Sequence, residues 1–93
     1  MVTSIILMNV DRTSINEVAA KLVEFDEISE VYSVSGKYDL IAIVRVRTND
    51  DLSTLVTVKL RNVENITATE TMLAFKAYSK HDLESMFSLG LDE

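Results

Sequence analysis

The sequence predicts an α+β domain in which four strands and two helices follow the order βαββαβ. The strands form one antiparallel sheet with both helices on one face. Three observations lead there. The chain has 93 residues, the length of one domain. Its two halves echo each other: Phe25, Ile28 and Val31, three apart, carry a helix into a strand, and Val63, Ile66 and Thr69 repeat that spacing before the last strand. Finally, turn-forming or charged residues punctuate the apolar runs at intervals that suit short strands and helices.

Residues 3–10 read as the first strand, with Ile5 and Leu7 on one side and Ile6, Met8 and Val10 on the other. Residues 11–14 turn into a helix, where Ser14 and Glu17 have capping-box spacing. Its stripe is Ile15, Val18, Ala19 and Leu22, closed by Phe25. Residues 28–35 and 40–47 form the second and third strands; in the third, Leu40, Ala42, Val44 and Val46 oppose Ile41 and Ile43. Asn49-Asp50-Asp51 opens the second helix, because carboxylates favour the positive end of the helix dipole. Its stripe is Leu52, Leu55, Val56 and Leu60, and residues 66–78 make a long fourth strand. Two βαβ halves of this length predict a split βαβ, or ferredoxin-like, domain over 1–78. The tail, 79–93, carries Leu83, Met86, Phe87, Leu89 and Leu91 and reads as a short amphipathic C-terminal helix, packed on its own subunit or clasping a neighbour.

A sheet with one wet face alternates apolar and polar residues. Here the first and third strands are apolar on both sides, and two helices cover only one of them. With 47% hydrophobic residues, the uncovered face predicts a homodimer with sheets packed face to face, the pairing of dimeric α+β barrels.

Composition excludes several functions. Without cysteine there are no disulfides or thiolate metal sites, and a cytoplasmic setting fits. The run Ile5-Ile6-Leu7-Met8 is too short for a signal peptide or a membrane span. A net charge of −6 opposes direct nucleic-acid binding and docking on anionic lipid, and keeps the chain soluble. The one histidine, His81, lies in the tail beside Asp82, so no mid-domain histidine base exists, and the acids are scattered on helices and turns. Gly36 and Gly90 are the only glycines, too few for a phosphate-binding loop. The expectation is a protein without enzymatic activity, metal or cofactor.

Two clusters stand out. Gly36-Lys37-Tyr38-Asp39 joins the second and third strands. The turn needs a glycine for positive φ but does not need the ring and the acid. Asp39 either accepts hydrogen bonds from turn amides or holds a ligand ammonium; Tyr38 either caps the sheet edge or walls a pocket, with backbone N–H groups near Gly36 free to hold a carboxylate. Thr67-Ala68-Thr69-Glu70-Thr71 puts alternate threonines on one strand face, as a polar patch or as hydroxyls lining a cleft at a subunit junction.

The run from Val31 to Leu40, with its Gly-x-Tyr-Asp turn, and the threonine-rich strand through Met72 and Leu73 resemble the effector-binding half, or RAM domain, of the Lrp/AsnC transcription regulators. The resemblance extends over residues 3–77. It implies dimers that assemble further into rings, with an amino acid or related small metabolite held between dimers. It carries effector binding onto Gly36, Tyr38, Asp39, Thr67 and Thr69, with Leu40 packing beneath. The family's regulators add an N-terminal helix-turn-helix, whereas this sequence starts at the first strand; the expectation is a stand-alone RAM protein that acts without a DNA-binding domain of its own, in part by joining full-length family members. Two alternatives remain. One is a small dimeric α+β-barrel enzyme (oxygenase or isomerase), for which Tyr38 and Asp39 are the available proton carriers. The other is an ACT-like amino-acid sensor, a module that pairs sheets edge to edge.

Overall fold

The structure, a computed structural model, describes residues 1–80. Strand β1 (Val2–Val10) is followed by a 3-10 turn (Arg12–Ser14) and helix α1 (Ile15–Leu22), then by strands β2 (Ile28–Ser33) and β3 (Leu40–Val46). Helix α2 (Asn49–Thr54) runs on through a π-helical turn (Leu55–Lys59) and a 3-10 turn (Leu60–Asn62) to strand β4 (Ile66–Ala74). The sheet order is β2-β3-β1-β4, antiparallel throughout. This is the ferredoxin-like βαββαβ arrangement expected from the two echoing halves. The expected C-terminal helix and its residues His81, Leu83, Met86, Phe87, Leu89 and Leu91 lie outside the described residues.

The two faces of the sheet follow the alternation in the sequence. Ile6, Met8 and Val10 from β1 and Leu40, Ala42, Val44 and Val46 from β3 are buried against Val18 and Leu22 of α1 and Leu55, Leu60 and Val63 of the second helical segment. Ser4 also points inward and is fully buried; its hydroxyl donates to the Met72 carbonyl at 2.7 Å, so a polar atom in the core is satisfied. On the opposite, outer face the register aligns Ile5 with Ile43 and Met72, and Leu7 with Ile41 and Glu70. Tyr32 pairs with Ile41 and lies on that face too. Ile5, Leu7, Ile41 and Ile43 are only half-buried, and Tyr32 and Met72 are exposed.

Several local expectations are corrected. Ser14 makes no side-chain capping bond; Asp11 caps the preceding 3-10 turn instead, accepting from Thr13 N–H at 3.0 Å. The inserted turn removes Ser14 from the geometry a capping box needs. Helix α2 does open at Asn49 with Asp50 and Asp51 in its first turn, as expected, and Thr48 caps it, accepting from Asp51 N–H at 3.1 Å. Strand β2 ends at Ser33 and β3 at Val46, and β4 ends at Ala74 rather than at residue 78, where its pairing with β1 stops at Thr3. In β4 the register shifts between Asn9 and Val10, which pair with Ala68 and Ile66. Thr67 is the extra residue of a bulge, so it falls out of phase with Thr69 and Thr71.

The π-helical turn ends in Lys59, whose ammonium is paired with the Glu27 carboxylate at the entry to β2. That hydrogen bond holds the Glu27 carboxyl below its ordinary pKa, against a smaller opposing effect of burial.

Leu22 is fully buried and its neighbour Val23 is 55% exposed. Leu22→Ala is therefore expected to cost about 2–5 kcal/mol in urea unfolding. Val23→Ala is expected to stay within about 0.5 kcal/mol.

Candidate functional site

The connection between β2 and β3, residues 34–39, is closed by Val34 N–H donating to the Asp39 carbonyl at 3.0 Å. Gly36 sits at φ +109°, and a Cβ there would meet nothing within 4 Å, so backbone conformation rather than space selects glycine. Asp39 is tied into the sheet. Its N–H donates to the Met8 carbonyl at 2.9 Å, and its Oδ2 accepts from Val10 N–H at 2.9 Å. The acceptor role open to Asp39 in the sequence is thus filled, but by the end of β1 and not by a turn amide. The carboxylate satisfies a central-strand donor that β3 is too short to reach.

Tyr38 is half-buried and leans over the outer face, where its hydroxyl donates to the Glu70 carboxylate. The Lys37 ammonium stands 5.9 Å from the centre of its ring. The bond to Glu70 raises the Tyr38 pKa above its ordinary value, and a bond to Glu30 does the same for Tyr32. Both phenols therefore remain protonated donors through the neutral range. Glu70 was not singled out from the sequence. The available signal was strand alternation, which turns Glu70 away from Thr69 and Thr71 and toward Leu7.

Three of the five expected site residues line two separate cavities, and Gly36 and Asp39 line neither of them. Tyr38 belongs to a hollow of about 620 Å³ on the outer face, together with Leu7, Val34, Ser35 and Ile41. Thr67 and Thr69 border a groove of about 460 Å³ between β4 and the second helical segment, with Val56, Leu60, Arg61 and Ile66. The Thr67 hydroxyl donates to the Asn9 carbonyl at 3.1 Å across the bulge. Asp39 and Ile66 flank the same end of β1 from opposite sides, about 10 Å apart at two strand spacings. The turn and the threonines thus share one end of the sheet without sharing a cavity. Among the described residues no group of three His, Cys, Asp or Glu side chains is placed to hold a metal ion.

Comparison with known proteins fits this geometry. Residues 3–83 match the family model of the Lrp/AsnC ligand binding domain, and the chain belongs to that family. It is 30% identical over 79 residues to the HTH-type transcriptional regulator FL11 of Pyrococcus furiosus, covering 85% of this chain and 52% of FL11. The chain thus spans about half the length of this curated relative. The crystal structure of FFRP-DM1 is 41% identical with a TM-score of 0.77, covering 81% of this chain and all of that one. AsnC of E. coli is 25% identical with a TM-score of 0.79, covering 84% of this chain and 53% of AsnC.

The Asp39 bond to β1 sets a stability expectation. Asp39→Ala leaves the Val10 N–H without its charged acceptor and is expected to lower unfolding stability by about 1.5–3 kcal/mol. Asp39→Asn keeps an acceptor and is expected to lose less. Equal losses in chemical denaturation would show that the contact is not what matters there.

Proposed function

We propose that this domain, starting from its family membership, is a non-enzymatic effector-binding and oligomerisation module for an amino acid or related small metabolite. It would act in the cytoplasm as a regulator of amino-acid metabolism or transcription. The observation that carries the reading is the β4 groove. Its lining combines the Arg61 guanidinium, the Thr57, Thr67 and Thr69 hydroxyls and the apolar side chains of Val56, Leu60 and Ile66. A guanidinium and hydroxyls suit a carboxylate, and the apolar side chains suit an aliphatic side chain. At about 460 Å³ the groove has the size of a small-molecule site.

Gly36, Tyr38 and Asp39 stand apart from the groove of their own chain, and they would complete the groove of a neighbouring copy. An amino acid bound between dimers would then favour the larger ring by mass action. The dimer itself would form through the outer face, where Ile5, Leu7, Ile41 and Ile43 have no covering layer among the described residues. The net charge of −6 favours partners other than nucleic acid, such as full-length regulators of the same family. Among the described residues no helix is long and apolar enough to cross a membrane.

A thermal-shift screen against the twenty amino acids tests the ligand. At about a hundred times its dissociation constant, an effector adds roughly 2.7 kcal/mol per site, several degrees for a domain of this size. Thr69→Val combined with Arg61→Gln is expected to abolish the response. A flat screen would remove free amino acids from the reading. Sedimentation velocity tests the dimer: Leu7→Lys puts a charge into the proposed interface and is expected to give monomers, whereas an unchanged dimer would move the interface elsewhere.

A further inference from the structure

Beyond Ala74 the chain leaves the sheet, and it leaves it bearing large apolar side chains. Phe75 is 96% exposed and Tyr78 is 68% exposed. Residues 75–80 also hold two lysines and no acid, in a chain of net charge −6. The Lys76 ammonium stands 5.2 Å from the centre of the Tyr78 ring. A short cationic aromatic segment of this kind has little to gain from water and much to gain from an apolar hollow with acids at its rim.

The outer face has a largely apolar hollow, with an acid reached through the Tyr38 hydroxyl. Leu7, Val34, Ile41 and the Tyr38 ring line it, and Ser35 and Lys37 stand at its mouth. Glu70 borders it through the Tyr38 hydroxyl, and Glu30 lies farther along the same face. Lys37 faces an incoming lysine as a like charge but is drawn over the Tyr38 ring, and Arg45 lies farther along the same face.

The chain does not fill its own hollow with this segment, whose Phe75 and Tyr78 stay exposed. Ala74 pairs with Thr3 at one end of β1, and the hollow lies at the other end, where Met8 pairs with Leu40. Five residues of strand separate them, about 17 Å. A two-fold axis lying midway between the two packed sheets, parallel to them and crossing the strands, brings the two ends together. It sets the segment of one copy beside the hollow of the other, twice per dimer, as an isologous interface requires.

We propose that residues 75–80 form an arm that docks in the outer-face hollow of a second copy of this chain, with Phe75 and Tyr78 as its apolar anchors and Lys76 facing Glu70. The inference rests on the face-to-face dimer proposed above and deepens it: each arm seals the open end of the partner's sheet. Tyr38 is then the floor of a subunit contact on one side while its turn faces the ligand on the other.

Photo-crosslinking tests this in the full chain. Replacing Phe75 with p-benzoylphenylalanine keeps an aromatic residue at an exposed position. A one-to-one mixture of unlabelled and nitrogen-15-labelled chains is irradiated, and the linked peptides are mapped. The expected result is mixed-label links from position 75 to peptides holding Leu7 or residues 34–41. In the same chain, Phe75→Ala with Tyr78→Ala is expected to weaken the dimer at least about tenfold in sedimentation, as loss of buried aromatic anchors does. Links confined to one label, links elsewhere, or none in a protein that sediments as a dimer would overturn the arm and leave the face-to-face dimer standing. A wild-type monomer would overturn both.

Discussion

The governing constraint is a shortage of cover. A four-stranded sheet has two faces, and the described residues provide two helices, both on one of them. Strands β1 and β3 are nonetheless apolar on both sides. The inward set, from Ile6 to Val46, reaches complete or near-complete burial with helices alone. The outward set, Ile5, Leu7, Ile41 and Ile43, stops half-way. Among the described residues, one half of the central strands is covered by helices, and the other half has no layer over it.

The same economy shapes the turn. A ligand-binding reading of the sequence makes Asp39 a side chain held in reserve, but the structure uses it to finish the ladder of β1. Asp39 therefore fixes where the turn stands relative to β1, and through β1 relative to the groove beside β4. Glu70, which looked like one polar residue among threonines, becomes the carboxylate that anchors Tyr38. The two acids exchange emphasis because one is reached by a backbone donor and the other by a phenol.

The legible part of the fold was the part governed by periodicity. The alternation in β1 and β3, the stripe of α1 and the order of elements all express one side chain repeating against one layer. What escaped depended on single insertions. Thr67 drops out of phase because one extra residue enters β4, and composition carries no mark of a bulge. The π-helical turn at Leu55–Lys59 leaves Leu55 and Leu60 in the core, so the apolar stripe reads the same with or without it. Ser14 had the right spacing for a cap, yet a 3-10 turn stood where the helix was expected to begin. For the site, the sequence identified which residues are unusual, whereas the division of Tyr38 from Thr67 and Thr69 between two cavities depends on which face each strand position presents.

The order β2-β3-β1-β4 also bears on how the molecule comes into being. Of the four described strands β1 is made first and sits in the middle, and its second neighbour, β4, is the last of the four to leave the ribosome. Until then one side of β1 is a bare row of amides and carbonyls flanked by isoleucine, leucine and methionine, the kind of edge on which chains stick to one another. Pairings this distant in sequence also form slowly. The interval before β4 docks is thus when a nascent chain is most exposed to aggregation, and crowding many copies together during synthesis would tax this small domain more than its finished structure suggests.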